Sequence, residues 1–539
     1  MRVQPGADAE MAWRFEVQDV RLVLRWIEST AGGGADQVTI VSGPTVNDVD
    51  TYLDTEDRRL DRAGYSVRLR RSRRPPHEAT LKTLDGAGLE ALGAPRELAE
   101  PLELDDPDAV ADAPGPVGER VRALVGSRKL VRLFDVQTRR RLFPIEAGGA
   151  PSGELLLDET VIREPDGPIL SRLRRVEVEV PERSLATVGP LVESLQRACG
   201  LQPAVLSKYE AALLASGRPR AEPEAFGPTG IEPGAAIGQV ALALLRRHFA
   251  VLLAKEPGTR LGDDIEELHD MRVASRRLRA AIALFAHVLP ADAARLRPEL
   301  AWVGQTIGTV RDLDVQLEQL DEWTATLPEP DRAPLERLRA LLARERTEAR
   351  SEMLQALDSP RYERFVRRFG AMLRSRSGTR TAPALTSAPD LIARRHRELR
   401  KARRRIGADA VPGEYHRLRI AGKRFRYALE FVADVYPGET KPLVRRTVAL
   451  QDLLGAYQDA DVAVGRLRRL AAEQGEELGP ATVFAMGEIA ERYRAAMEEA
   501  RKEVAGTYKP LRGKVWQRFR LNIDAARPPE AATAGVEPA

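Results

Sequence analysis

The chain has 539 residues, 43% hydrophobic and 30% charged, with a formal net charge of only +4; this is long enough for roughly two to four folded cores and excludes wholesale disorder. A single cysteine, Cys199, excludes an intrachain disulfide and a cysteine-based metal cluster, and the six histidines fall at no metal-binding spacing. The first residues form no apolar leader and no run reaches about 18 uninterrupted apolar positions, so the expectation is a cytoplasmic protein without a membrane partner.

Residues 1–215 read mostly as strands. QVTIVSG (37–43), YSVRLRRS (65–72), EATLKTL (78–84), KLVRLFDVQTRRRLFPI (129–145), GELLLDETVI (153–162) and LRRVEVEV (173–180) alternate apolar and polar residues between Gly, Pro and Asp. SLATVGPLVESLQRAC (184–199) has helical periodicity. Such spacing predicts an antiparallel sheet or barrel. Arg68 and Arg70 share a strand face, as do Arg139 and Arg141, and Glu177 and Glu179. Repeated charge on one face fits either a solvated outer surface or a polar lumen. Glycines 32–34 have no Lys-Ser/Thr after them and form no P-loop.

Residues 216–234, rich in Pro, Gly and Glu, read as a linker. From 235 to about 520 the pattern is helix after helix, interrupted at RTAPALTSAPD (380–390), and 521–539 reads as a disordered tail. Charge is uneven: residues 361–426 hold 20 Lys/Arg against 5 Asp/Glu. In YHRLRIAGKRFRYALEF (415–431), His416, Arg419, Lys423 and Arg426 stack on one helical face. A twin, LHDMRVASRRLRAAIALF (268–285), carries His269, Arg272, Arg276 and Arg279 at a constant offset of 147. GTVRDLDV (308–315) and GAYQDADV (455–462) repeat at the same offset, which indicates a duplicated helical unit, with halves near 235–380 and 390–520. Like charges at these spacings repel, so a partner must neutralise them. Asp312, Asp314, Asp459 and Asp461 are the internal candidates, but the cations outnumber them, which argues for an external anion. With few aromatics for base stacking, that anion is more simply a phosphate polymer than a nucleic acid, although nucleic-acid backbones use the same chemistry.

These motifs resemble known families. LHDMRVASRRLR, VRDLDV, YHRLRIAGKRFRYALE and LLGAYQDADV together resemble the CHAD domain, the conserved-histidine α-helical domain. That resemblance implies paired helical bundles that bind inorganic polyphosphate, with His269, Arg272, Arg276, Arg279, His416, Arg419, Lys423 and Arg426 at the basic positions. YLDTEDRRLDRAGYSVRLRR, EATLKT, TRRRLFPI, LLLDETVI, VEVEV and SKYEAAL resemble the CYTH domain, a triphosphate-tunnel fold. It implies an antiparallel barrel in which Arg14, Arg68, Arg70, Lys82, Arg139, Arg141 and Lys208 hold tripolyphosphate or another triphosphate. Glu10, Glu177 and Glu179 would hold Mg²⁺ or Mn²⁺. The family's ExExK signature is altered in EMAWRF: Glu10 is present, but Ala12 replaces the second glutamate and Arg14 the lysine. The expected architecture is therefore α+β, a tunnel domain (1–215) joined to a duplicated helical domain (235–520). The leading expectation is a polyphosphate-binding protein, associated with polyphosphate granules, whose altered barrel binds or weakly hydrolyses a triphosphate; the alternatives are an active metal-dependent inorganic triphosphatase and a nucleic-acid-associated protein.

Overall fold

The computed structural model describes residues 10–30, 38–72, 75–84, 97–218, 226–232, 234–327, 329–374, 382–407 and 409–528, with the side chains of 10, 11, 326 and 329–331 excepted. The triglycine at 32–34, residues 219–225 and 233 of the linker, and the tail beyond 528 lie outside them. The chain divides into two compact units, Met1–Pro223 and Glu224–Ala539.

The first unit is built on one antiparallel sheet. In chain order it comprises β1 (Glu10–Glu16), α1 (Val20–Thr30), β2 (Val38–Ile40), β3 (Thr45–Asp54), α2 (Arg59–Arg62), β4 (Tyr65–Arg71), β5 (His77–Thr83) and β6 (Glu97–Leu102). There follow α3 (Pro107–Asp112), α4 (Pro116–Val125), β7 (Val131–Ala147), β8 (Ala150–Arg163), β9 (Ile169–Pro181), α5 (Leu185–Cys199), β10 (Gln202–Pro203) and α6 (Lys208–Ala215). The strands run in the order β10-β1-β9-β8-β7-β3-β4-β5-β6, with β2 beside β7. The expected barrel is not closed: among the described residues the ladder ends at β10 and β6. Both edges carry a proline, Pro203 and Pro101, which donates no ladder hydrogen bond and is a common means of ending a sheet.

Strand alternation decides which face is wet. On β9, Val176, Val178 and Val180 are buried against α1 and α5, together with Val23, Ile27, Val188, Val192 and Leu195. The intervening Arg175, Glu177 and Glu179 turn to the opposite face and line a concavity. The helices thus cover the outer surface and the charges line the inner one, as a tunnel requires. The short α6, opened by the Ser207–Glu210 capping box, packs Tyr209, Ala212 and Leu213 against Tyr52, Phe134 and Ile162. The three rings sit 5.3–5.9 Å apart and form an apolar floor under the charged region.

The second unit is all helical: α7 (Ile237–Ala254), α8 (Glu256–Leu261), α9 (Ile265–Leu284), α10 (Ala291–Thr326), α11 (Glu329–Leu357) and α12 (Pro360–Arg374). It continues with α13 (Ala384–Arg403), α14 (Pro412–Glu430), α15 (Lys441–Leu478), α16 (Pro480–Tyr508) and α17 (Lys514–Ala525). The duplication read from two motifs extends further. Shifting α7, α9, α10 and α11 by 147 positions lands them on α13, α14, α15 and α16 within about five residues at either end. The interruption expected at 380–390 is shorter, because α13 begins at Ala384 and takes Pro389 into its buried face. Likewise α17 extends to Ala525, into the expected tail.

One core serves both halves. Phe249 stacks on Phe369 at 4.5 Å, and Phe226, from the stretch read as linker, packs edge-on to Phe249 at 5.0 Å. The segment Ile237–Leu261 has the length and composition of a membrane span. Here its apolar residues are used inside the unit, where α7 packs against α9, α12 and α13.

Candidate functional site

The concave face of the sheet holds a cavity of about 320 Å³ lined by seven cations and six carboxylates. Arg14, Arg68, Arg70, Lys82 and Lys208 all line it, as expected. Arg139 and Arg141 do not. Along β7, Thr138 and Arg140 face the cavity, so the residues on either side of Arg140 point away; Arg139 is exposed, and Arg141 lies 3.4 Å from Glu159. Arg140 and Arg175 are the lining cations that sequence reading missed. In the run of three arginines at 139–141, alternation allows either one or two to face inward, and only the covering of the opposite face, where Phe143 and Ile145 join the core with α1 and α5, decides.

Most of these charges are already paired. Arg70 donates two hydrogen bonds to Asp50, at 2.7 and 3.0 Å. Arg68 and Lys82 reach Glu97 at 3.1 and 3.5 Å. Arg140 grips the buried Asp158 through two bonds of 2.8 Å, and Lys208 Nζ donates to the same carboxylate at 2.5 Å. Burial alone would raise the Asp158 carboxyl, but Arg140 and Lys208 hold it below the usual range.

Glu177 and Glu179 line the cavity two positions apart on β9. Arg14 ion-pairs with Glu177, its direct ladder partner, and Arg140 approaches the same carboxylate at 3.5 Å. Glu10 begins β1 opposite Pro181; its side chain lies outside the description. Ala12, opposite Glu179, offers only a methyl group where a third carboxylate would stand. Among the described residues no group of three metal-binding side chains occurs. This donor set does not make an all-protein cage. Glu177 and Glu179 would hold a divalent cation only together with phosphate oxygens, because Glu177 is already paired with Arg14 and Arg140.

The helical unit is different. α9 and α14 pack together, and between them lies a groove of about 420 Å³. Its wall carries Arg276, Arg279, Arg297, Arg395, Lys423 and Arg424, and no carboxylate. Two of the aspartates expected as internal partners do meet stripe cations, Arg272 and Arg419, neither of which lines this groove, and a third pairs outside the stripes. Asp312 accepts from Arg272 at 2.7 Å, Asp459 lies 3.9 Å from Arg419, and the buried Asp314 accepts from Arg346 at 2.5 Å. Arg276, Arg279 and Lys423 have no ion pair among the described residues. Burial, reinforced by Arg419 and Arg276, pushes the Lys423 ammonium down to about 7. Burial likewise lowers Arg279, with Arg297 adding to the effect. The two stripes therefore converge across the repeat: Arg276 of the first adds to the lowering of both Lys423 and Arg419 of the second.

Not every expected position joins them. Arg426 turns toward Glu430 at 3.4 Å, a carboxylate that also receives Arg277 at 3.2 Å. His416 is exposed, its Nδ1 2.7 Å from Gln458 Oε1, and faces a neighbouring groove; His269 is half-buried and not in the lining. Arg297, Arg395 and Arg424 were missed, the first because it comes from α10, outside the repeated motif. His396 is a packing residue, stacked 3.6 Å from Trp516.

A sheet that presents charge inward and a duplicated helical unit with a carboxylate-free basic groove define a phosphate-handling protein of two domains. Family models agree: residues 34–209 match the CYTH domain and residues 243–468 the CHAD domain, and the chain carries one of each. CYTH domains act on triphosphates, and CHAD domains are associated with polyphosphate. CYTH-family triphosphatases are generally metal-dependent. Among solved structures, the CHAD domain of the plant Ricinus communis is 28% identical, covering 56% of this chain and 97% of that one, with a TM-score of 0.41. PptA from Streptomyces chartreusis is 24% identical over 51% of this chain and 100% of that one, TM-score 0.43. HpAC1 from Hippeastrum, which has a dominant triphosphatase activity, is 16% identical over 39% and 97%, TM-score 0.28. No curated protein matches the chain.

Proposed function

We propose that this protein binds inorganic polyphosphate in the α9–α14 groove and a triphosphate in the concave face of its sheet. One observation carries the reading: six cations line the groove with no carboxylate among them. The sheet cavity, by contrast, nearly balances its charges. Phosphate oxygens along a polymer would replace the missing counter-charge, and guanidinium groups suit them because they can contact two oxygens at once. Tyr427 is the one aromatic residue in the lining and is itself buried, so the groove presents no exposed ring for stacking bases. This favours polyphosphate over nucleic acid. The test is a titration of the full chain with long-chain polyphosphate and duplex DNA at several salt concentrations, because both interactions weaken with salt. Tighter binding of polyphosphate, lost in Arg276→Ala/Lys423→Ala, supports the reading; preference for DNA at matched salt overturns it.

A second reading, hydrolysis of a triphosphate, is favoured by Glu177 and Glu179 sharing the cavity with the cations. In it, these two residues hold Mg²⁺ or Mn²⁺ together with the phosphate, and the ion supplies charge neutralisation and an acidified water. Arg70, Arg140 and Lys208 orient the phosphates. Phosphate release from tripolyphosphate that disappears in Glu179→Gln would support it.

A further inference from the structure

The two halves of the helical unit have diverged at one helix. α7 and its duplicate α13 begin 147 residues apart, yet α7 contains two Lys/Arg and α13 contains six. α13 keeps an apolar face in the core through Leu391, Ile392, His396 and Leu399. Its other face, with the turn that follows, exposes Arg400, Lys401, Arg404 and Arg405, none of which makes a salt bridge among the described residues. Arg400 with Arg404 and Lys401 with Arg405 are like-charge neighbours one turn apart, an arrangement that opposes the helix carrying it.

Two of these cations, Lys401 and Arg405, border a second groove, of about 340 Å³, between α13 and α14. Lys401, Arg405, Arg417 and His416 line it. Its one carboxylate, Glu398, is held by Arg395 at 2.8 Å. Ile420 and Arg424 belong to the walls of both grooves, so the second opens from the first at Arg424. Arg417 lies two helical turns before Arg424, about 10 Å along the α14 axis. The one aromatic ring in its lining is the imidazole of His416.

We infer that the polyanion track continues past Arg424 into the α13–α14 groove, so that a long inorganic polyphosphate chain occupies both grooves. The first repeat has no counterpart, because α7 presents apolar residues where α13 presents cations. The track is one-sided and leaves the α9–α14 groove on the side of the second repeat only. The inference rests on the reading of the α9–α14 groove as a polyphosphate site.

The test uses the full chain and two double variants, Lys401→Ala/Arg405→Ala and Arg276→Ala/Lys423→Ala, with long-chain polyphosphate titrated across a salt series. Lys401 and Arg405 are exposed, so thermal unfolding of the first variant should match wild type. That variant is expected to bind long-chain polyphosphate roughly tenfold more weakly, with a salt dependence flatter by about one to two charges. The second variant is expected to lose more. If only the second variant loses affinity, the extended track is wrong while the central site stands. If neither loses affinity, the central reading fails as well. Weaker DNA binding by Lys401→Ala/Arg405→Ala with unchanged polyphosphate binding would also overturn the inference.

Discussion

Arg14 on β1 is ion-paired with Glu177, the residue directly opposite it on β9. One substituted position of the family signature thus occupies a carboxylate that would otherwise serve a cation, and the other, Ala12, removes a carboxylate outright. Ala12 lies on the same strand face as Arg14 and opposite Glu179. Replacing it should rebuild a metal site. Ala12→Glu is expected to raise affinity for Mn²⁺ roughly tenfold, because hard-cation affinity follows ligand charge count. Calorimetric titration with Mn²⁺ alone measures this, and an unchanged constant would show that Arg14, not Ala12, limits the site.

The register of β7 separates Arg140 from its neighbours. Arg140→Ala should weaken tripolyphosphate binding by about tenfold or more, the effect of losing a charge-assisted contact. Arg139→Ala, at an exposed position on the opposite face, should leave binding unchanged and stability within about 0.5 kcal/mol. Equal losses in the two variants would contradict the assignment of faces.

Asp158 is a stability element more than a ligand. It is almost fully buried and accepts from both Arg140 and Lys208. Asp158→Ala should cost about 2–3 kcal/mol, below the value for a fully buried pair because both cations keep partial access to water. Denaturant unfolding measures it. Because its folded carboxyl is depressed, this contribution is present above the ordinary value of 3.8 and is lost as pH falls through the folded value.

Lys423 links the groove to pH. It faces Arg419, Arg276 and Arg426, with Asp459 as the opposing charge. Below about pH 7 it is protonated in folded and unfolded chains alike. Between about 7 and its ordinary 10.5 the unfolded chain alone keeps the proton, so this residue makes stability rise with pH across that window. Bound phosphate favours the charged form. Polyphosphate binding at pH 8 should therefore take up a proton at Lys423, and affinity should fall as pH rises from 7 to 9. Calorimetry in two buffers of different ionisation enthalpy reads that uptake directly; Lys423→Arg should lower it. Identical heats for wild type would refute the linkage.

Much of this protein was legible before any coordinates. The offset of 147 revealed the duplication, because repeated motifs survive in sequence when each must build the same local helix. The strands with clean alternation, such as Val176–Val180 against Arg175–Glu179, were read directly. β3 was missed: its Asn47, Asp48 and Asp50 are poor strand formers, tolerated because the two aspartates turn toward the cavity and meet Arg70.

Residue spacing determined the two-unit order and the helical stripes, and the resemblance to the tunnel family brought out the altered signature at Ala12 and Arg14. Packing decided the rest. Alternation cannot say which strand face looks inward until α1 and α5 cover one of them, so Arg140 rather than Arg139 and Arg141 meets the cavity. Helical periodicity placed Arg426 on the same face as Lys423; its i,i+4 partner Glu430, on the same helix, draws it aside, while only the gathering of α9, α10 and α13 around α14 brings Arg424 into the groove. A side chain's partner is set by which other element packs against it. That information is spread over residues distant in the chain, which is why Arg297 and Arg395 entered the site only with the fold.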